Sequence, residues 1–124
     1  MLFLLRLPPL LLRSAFVVAV VVIFVLAMIP LTGMPVVFSF QDKVEHCVAF
    51  LVLMIMGWAA WPGRTVRIAG GLVAYGLLIE VAQSTLTATR VGDPWDWLAD
   101  SVGVGIGWML AKWLASRPGS MASI

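Results

Sequence analysis

The feature that most constrains this chain is the succession of long apolar runs broken by short charged connections. Ser14 to Ile29 carries no charge and stops at Pro30, and Val44 to Trp61 holds only Glu45 and His46, both at its start. Ile68 to about Thr85 is apolar apart from Glu80, Gln83 and Ser84, while Trp97 to Leu114 has Asp100 near its beginning and Lys112 near its end. At a rise of about 1.5 Å per residue, a helix of about eighteen residues reaches roughly 27 Å, close to the hydrocarbon thickness of a bilayer. The whole chain is 62% hydrophobic and 11% charged, too little polar surface to face water on every side. In lipid, each backbone N–H and C=O must be satisfied inside the protein, and helices do this within one segment. The runs are continuous rather than alternating, which argues against a membrane β-barrel. The sequence therefore predicts an all-α, four-helix transmembrane bundle, one domain over residues 1–124 with no internal repeat.

The first run has a rival reading, because Arg6 and Arg13 ahead of an apolar stretch resemble the start of a secretory signal. No small-residue cleavage cluster follows it, and apolar character continues through Leu31, Val36, Val37 and Phe38. A retained helix is expected. Orientation comes from the short connections: Arg6 and Arg13, Arg64 and Arg67, and Lys112 and Arg117 occupy three regions without an acidic residue, which four spans place on one side. By the positive-inside rule that side is cytoplasmic, so both termini are inside and the expected location is a bacterial inner membrane. All six carboxylates, with Lys43, Arg90 and His46, then gather at the outer side. Trp58, Trp61, Trp108 and Trp113 fall toward the inner interface and Trp95 and Trp97 toward the outer one, where amphipathic rings serve as anchors. The net charge of +2 is too mild for a nucleic-acid partner. The single cysteine, Cys47, excludes an intrachain disulfide and reads as a packing residue.

Three polar motifs sit on the outward side. Asp42, Lys43 and His46 form D-K-x-x-H at the start of the second run, a spacing that places the imidazole one turn below Asp42 or Lys43. Read structurally, Asp42 is a helix N-cap. Glu80 and Gln83 share a face of the third run, and Glu80 stands about five residues, roughly 8 Å, inside the expected helix end, where an unpaired carboxylate costs on the order of 2 to 3 kcal/mol. It should hold a partner or a proton. The stretch from Arg90 to Gly103 spaces Arg90, Asp93, Asp96, Asp100 and Gly103 at intervals of three and four. Asp93 is an N-cap candidate ahead of Pro94, and Asp96 suits a first turn. Asp100 is not explained by capping. Stacked over Asp96, it should be offset by Arg90 or Lys43, share a proton, or hold a cation. Below it, Ala99, Gly103, Gly107 and Ala111 make a stripe for close helix packing, a role that Gly71 and Gly76 are expected to share on the third helix.

Together, D-K-x-x-H at Asp42, Lys43 and His46, E-x-x-Q at Glu80 and Gln83, and the R-x-x-D-x-x-D-x-x-A-[ND]-x-x-G stretch from Arg90 to Gly103 resemble the VanZ-like family. The resemblance covers residues 42–114, with Asp100 where many members carry Asn. It implies a small multipass envelope protein of a family named for a member linked to teicoplanin resistance, with no settled biochemical activity.

Three functions fit these residues. The leading expectation is a membrane factor at the outer leaflet that binds the polar head group of a cell-envelope lipid, a lipid-linked wall precursor or a glycopeptide, with a role in glycopeptide resistance. Asp42, Lys43, Gln83, Arg90 and Asp93 would bind the ligand, Lys43 and Arg90 as anion-binding groups. The second is an enzyme acting on a lipid-linked substrate, with His46 as general base and Glu80, Asp96 or Asp100 as acid or as ligands of a divalent cation. No H-E-x-x-H, G-x-S-x-G or glycine-rich phosphate loop names its reaction. The third is a proton- or ion-coupled transporter relaying through Glu80, for which the chain would form a homo-oligomer to enclose a path.

Overall fold

A computed structural model describes residues 6–29, 41–87 and 93–116. They contain four α-helices and no strand: α1 (Pro9–Met28), α2 (Gln41–Ala60), α3 (Thr65–Leu86) and α4 (Pro94–Ser116), with one 3₁₀ turn, Pro62–Arg64, between α2 and α3. Prolines set several of the boundaries. Pro9 opens α1 earlier than the uncharged run at Ser14, since a first-turn proline lacks only an N–H that has no helical partner there. Trp61 N still donates to Gly57 O at 2.9 Å, but Pro62 has no N–H to continue the ladder. The chain closes a tighter turn, Arg64 N to Trp61 O at 3.0 Å, and α3 begins at Thr65.

Side-chain pairings give the topology. Tyr75 and Gln83 of α3 reach Val20 and Ala27 of α1 in the same order, so α1 and α3 run parallel. Cys47 and Leu51 of α2 meet Gly103 and Gly107 of α4 in the same order, so these two are also parallel. Neighbours in sequence are antiparallel, as short connections require. The most extensive packing is between α2 and α4, and α2 touches every other helix. Its closeness rests on the small-residue stripe. A Cβ on Gly103 would collide with the Cys47 carbonyl oxygen, and one on Gly107 would lie 2.9 Å from both Leu51 O and Met54 Cβ. Gly71 was expected to act likewise on α3, but nothing lies within 4 Å of a Cβ built there, because it faces away from the bundle.

Phe50, Leu53, Met54 and Ile79 are sealed in the centre, joined by Leu72 and Val104. The outside is apolar too: Leu10, Val17, Val18, Val21 and Val25 expose one flank of α1. An apolar exterior of this extent suits a hydrocarbon solvent. Three helices are long and apolar enough to cross a membrane: α1, α2 from Asp42, and α3 with the turn before it. The fourth run departs from the expectation of four equivalent spans. With 23 residues α4 matches the others in length, but it is not among the candidate spans. The reason is that α4 carries Asp96 and Asp100 into the interior, where both are buried, and Lys112 near its other end.

At the end of the bundle holding the start of α1 and the end of α2, Arg13 Nε donates to Ala60 O at 3.2 Å, and its guanidinium lies 5.4 Å from the Trp61 ring centroid. A cation at a helix C-terminus satisfies a carbonyl that has no helical donor and opposes the negative end of the dipole. Phe16 meets the same ring edge-on at 5.5 Å. One tryptophan expected as an interfacial anchor, Trp58, is buried with Leu12 and Ala111 instead, while the half-buried Trp97 donates its indole N–H to Val73 O at 3.0 Å. Trp95 and Trp113 are exposed.

Candidate functional site: an acid and histidine cluster at one end of the bundle

The first turns of α2 and α4 and the last turns of α3 meet at the end opposite Arg13. Asp93 caps α4: its Oδ1 accepts the Trp95 N–H at 2.9 Å, and its carbonyl accepts from Asp96 N at 2.9 Å. Pro94 then occupies the first helical position, where its fixed φ is already helical. Asp42, expected as the cap of α2, lies inside the first turn, because that helix already starts at Gln41.

Lys43 is the hub of the outer layer. Its ammonium donates to Asp42 Oδ2 at 2.8 Å, Asp93 Oδ2 at 2.8 Å and Asp96 Oδ1 at 2.5 Å. All three ammonium hydrogens are therefore spent on carboxylates. The Lys43 ammonium beside it, and then the Trp95 N–H, hold the Asp93 carboxyl below the usual carboxylate range. Lys43 is thus a counter-ion within the protein, one of the two cations that the spacing offered to offset the stacked aspartates. The arrangement resolves the stacking of Asp96 over Asp100, since each takes a different partner.

One turn deeper, His46 Nδ1 lies 2.8 Å from Asp100 Oδ1. A carboxylate only accepts, so with Asp100 ionised Nδ1 carries the proton, and Nε2 lies 3.7 Å from Asp96 Oδ2. Asp100 has no solvent exposure, and its other oxygen rests on Gly76. Glu80, 6% exposed, accepts the Asp93 backbone N–H through Oε2 at 2.8 Å. Glu80 Oε1 and Asp100 Oδ2 are buried without a hydrogen-bond partner. Ligand atoms of His46, Glu80 and Asp100 all lie within 4.8 Å of one another, and so do those of Asp42, Asp93 and Asp96. The second trio already encloses the Lys43 ammonium.

Seven residues singled out in the sequence thus converge: Asp42, Lys43, His46, Glu80, Asp93, Asp96 and Asp100. Gln83 does not join them by its amide nitrogen, which donates to Ala27 O at 3.0 Å and ties α3 to the end of α1. Arg90 lies outside the described residues. Sequence reasoning missed the backbone N–H of Asp93 as the partner of Glu80 and the Val73 carbonyl as the partner of Trp97. A backbone group leaves no mark in residue identity, so no signal pointed to either.

Beside the cluster, between α3 and α4, is a mostly apolar groove of about 300 Å³ lined by Leu77, Val81, Pro94 and Trp97, with Glu80 and Asp93 at its edge.

Apolar helices around a knot of carboxylates, imidazole and ammonium define a small helical membrane protein with its acidic residues and histidine gathered at one end. The chain belongs to the VanZ/LLP1 family, whose family model matches residues 16–115, the bulk of its length. Neither the curated proteins nor the solved structures gave a match.

Proposed function

We propose that this VanZ/LLP1 protein is a four-span inner-membrane protein with both termini in the cytoplasm, and that its outward cluster binds the ammonium head group of a cell-envelope lipid. The topology is supported by the separation of charge along the bundle. Arg13, Arg64, Arg67 and Lys112 lie toward one end, and the acid cluster lies at the other. α4 crosses with its two deep carboxylates turned inward, so lipid meets Val102, Ile106, Met109 and Leu110.

The observation that carries the head-group reading is the negative balance left in the cluster after Lys43 is engaged by three carboxylates. Among the described residues, the cluster holds five carboxylates against one ammonium and one imidazole, an excess that favours a cation. The groove between α3 and α4 places an apolar wall beside Glu80 and Asp93, the arrangement an amphipathic amine requires. A glycopeptide ligand with a role in drug resistance belongs to the same reading where its recognised group is an amine. Native mass spectrometry of the purified protein, offered equal phosphatidylethanolamine and phosphatidylglycerol, tests it. Preferential retention of phosphatidylethanolamine that Glu80→Gln abolishes is expected. Equal retention of the two lipids sinks the reading.

A second reading, hydrolysis or group transfer on a lipid-linked substrate, is favoured by one observation: a buried carboxylate bonded to His46 Nδ1 orients the ring and leaves Nε2 to take a proton. Product formation from envelope lipids that His46→Ala removes would support it.

A further inference from the structure

Two buried carboxylates in the deeper layer of the cluster are half-satisfied in the same way. Glu80 spends Oε2 on the Asp93 N–H, and Asp100 spends Oδ1 on His46. The second oxygen of each is buried with no donor. An ionised oxygen in that state costs its full desolvation, so such groups are completed by a proton, a water or a metal ion. The geometry points to a metal: we infer that His46, Glu80 and Asp100 form a three-ligand site for a divalent transition-metal cation, one ligand from each of α2, α3 and α4.

Three features argue for this. First, the ligand atoms stand within 4.8 Å of one another. Donors on one tetrahedral ion at about 2.0 to 2.2 Å are roughly 3.4 Å apart, so a contraction of at most about 1.4 Å completes the site. Second, the ligands stand on fixed elements. Glu80 is fixed by the Asp93 N–H, Asp100 packs between α3 and α2 against Gly76 and His46, and Lys43, one turn before His46, ties the start of α2 to Asp93. Held ligands lose little entropy on binding. Third, one imidazole nitrogen with two carboxylate oxygens is a mixed donor set, which suits Zn²⁺, Mn²⁺ or Fe²⁺ over the all-oxygen preference of Mg²⁺ and Ca²⁺. Three protein ligands also leave a coordination position open, as in zinc sites that bind a further group. The neighbouring Asp42, Asp93 and Asp96 are not part of the site, because the Lys43 ammonium already serves as their cation.

The inference does not depend on the head-group reading and is tested without lipid. The full chain in detergent, stripped by a chelator, is titrated with Zn²⁺ by equilibrium dialysis, and separately with Co²⁺ by visible absorption. One Zn²⁺ per chain is expected, with Mg²⁺ unable to displace it. Co²⁺ should give an absorption band that one equivalent of Zn²⁺ removes, a readout on the unaltered protein that needs no variant to fold. Glu80→Gln and Asp100→Asn should each weaken Zn²⁺ binding at least about tenfold, with Glu45→Gln unchanged. Absence of saturable one-to-one binding in the unaltered protein overturns the site, and so does unchanged affinity in both Glu80→Gln and Asp100→Asn.

Discussion

The carboxylate of Asp100 lies against Gly76: a Cβ built on that glycine would stand 2.8 Å from Oδ2 and 3.2 Å from the aspartate Cβ. The absent side chain on α3 is what lets a carboxylate of α4 reach the centre of the bundle. Gly76→Val should therefore push Asp100 away from His46 and lower stability by about 1 to 3 kcal/mol through overpacking. Gly71→Ala, with open space around it, should leave the unfolding midpoint unchanged or slightly raised. Thermal unfolding of both variants in one detergent is the measurement, and equal midpoints would contradict the close approach.

Replacing Lys43 by Met keeps the length of the stem and removes the charge shared by Asp42, Asp93 and Asp96. Asp96 is 8% exposed, so it loses its partner where water cannot replace it. A loss of about 1 to 3 kcal/mol is expected. Asp42→Asn, at a side chain 57% exposed, should cost under about 1 kcal/mol. Denaturant or thermal unfolding that ranks the two variants in the opposite order would show that Lys43 is not the hub.

Acid should loosen this outer layer. The Asp93 carboxyl is held below its ordinary value of 3.8 by Lys43 and the Trp95 N–H. Because the folded value is depressed, its stabilisation is fully present above the unfolded value and is lost as pH falls through the folded one. The unfolding midpoint should thus be insensitive to this group near neutrality and decline on acidification below the unfolded value. Asp93→Asn should flatten that part of the profile, and an identical acid decline in the variant would contradict the assignment.

Asp100→Asn retains an oxygen that can accept the His46 Nδ1–H, so the variant should fold and keep α2 docked on α4. Asp100→Leu leaves the imidazole without an acceptor in a buried position and should lose roughly 1 to 3 kcal/mol more than the Asn variant. Unfolding midpoints together with hydrogen exchange at the start of α2 measure the difference.

Gln83→Ala removes the amide that reaches Ala27 O, at a cost of about 1 kcal/mol. The effect should concentrate at the last turn of α1. Hydrogen exchange that accelerates there and not in α4 would distinguish a helix tie from a member of the acid cluster.

Much of the architecture was legible in the order of residues. The apolar runs, with Pro94 ahead of the last, mark four helices to within about five residues of their ends, while the boundaries set by Pro9 and Pro62 emerged only in the structure. The Gly103 and Gly107 spacing marks a close contact, although not that its partner is the parallel helix α2. Among site residues, the spacing put His46 beneath Lys43 and Asp100 beneath Asp96, and the depth of Glu80 called for a partner. Lys43 was one of two cations that spacing offered to the aspartates, and the structure pairs it with Asp42, Asp93 and Asp96. Gln83, grouped with Glu80 by spacing, turns its amide nitrogen to Ala27 O.

By itself, the sequence determined that the chain is helical, that it suits lipid, and that the carboxylates collect at one end. These follow from run length, hydropathy and helical spacing, which are properties of a line of residues. Tertiary structure alone decided which carboxylate meets Lys43 and which meets His46, and that a backbone N–H at 93 answers Glu80. Those choices depend on distances between helices, and around the site the helices come close because Gly76, Gly103 and Gly107 lack the side chains that would hold them apart.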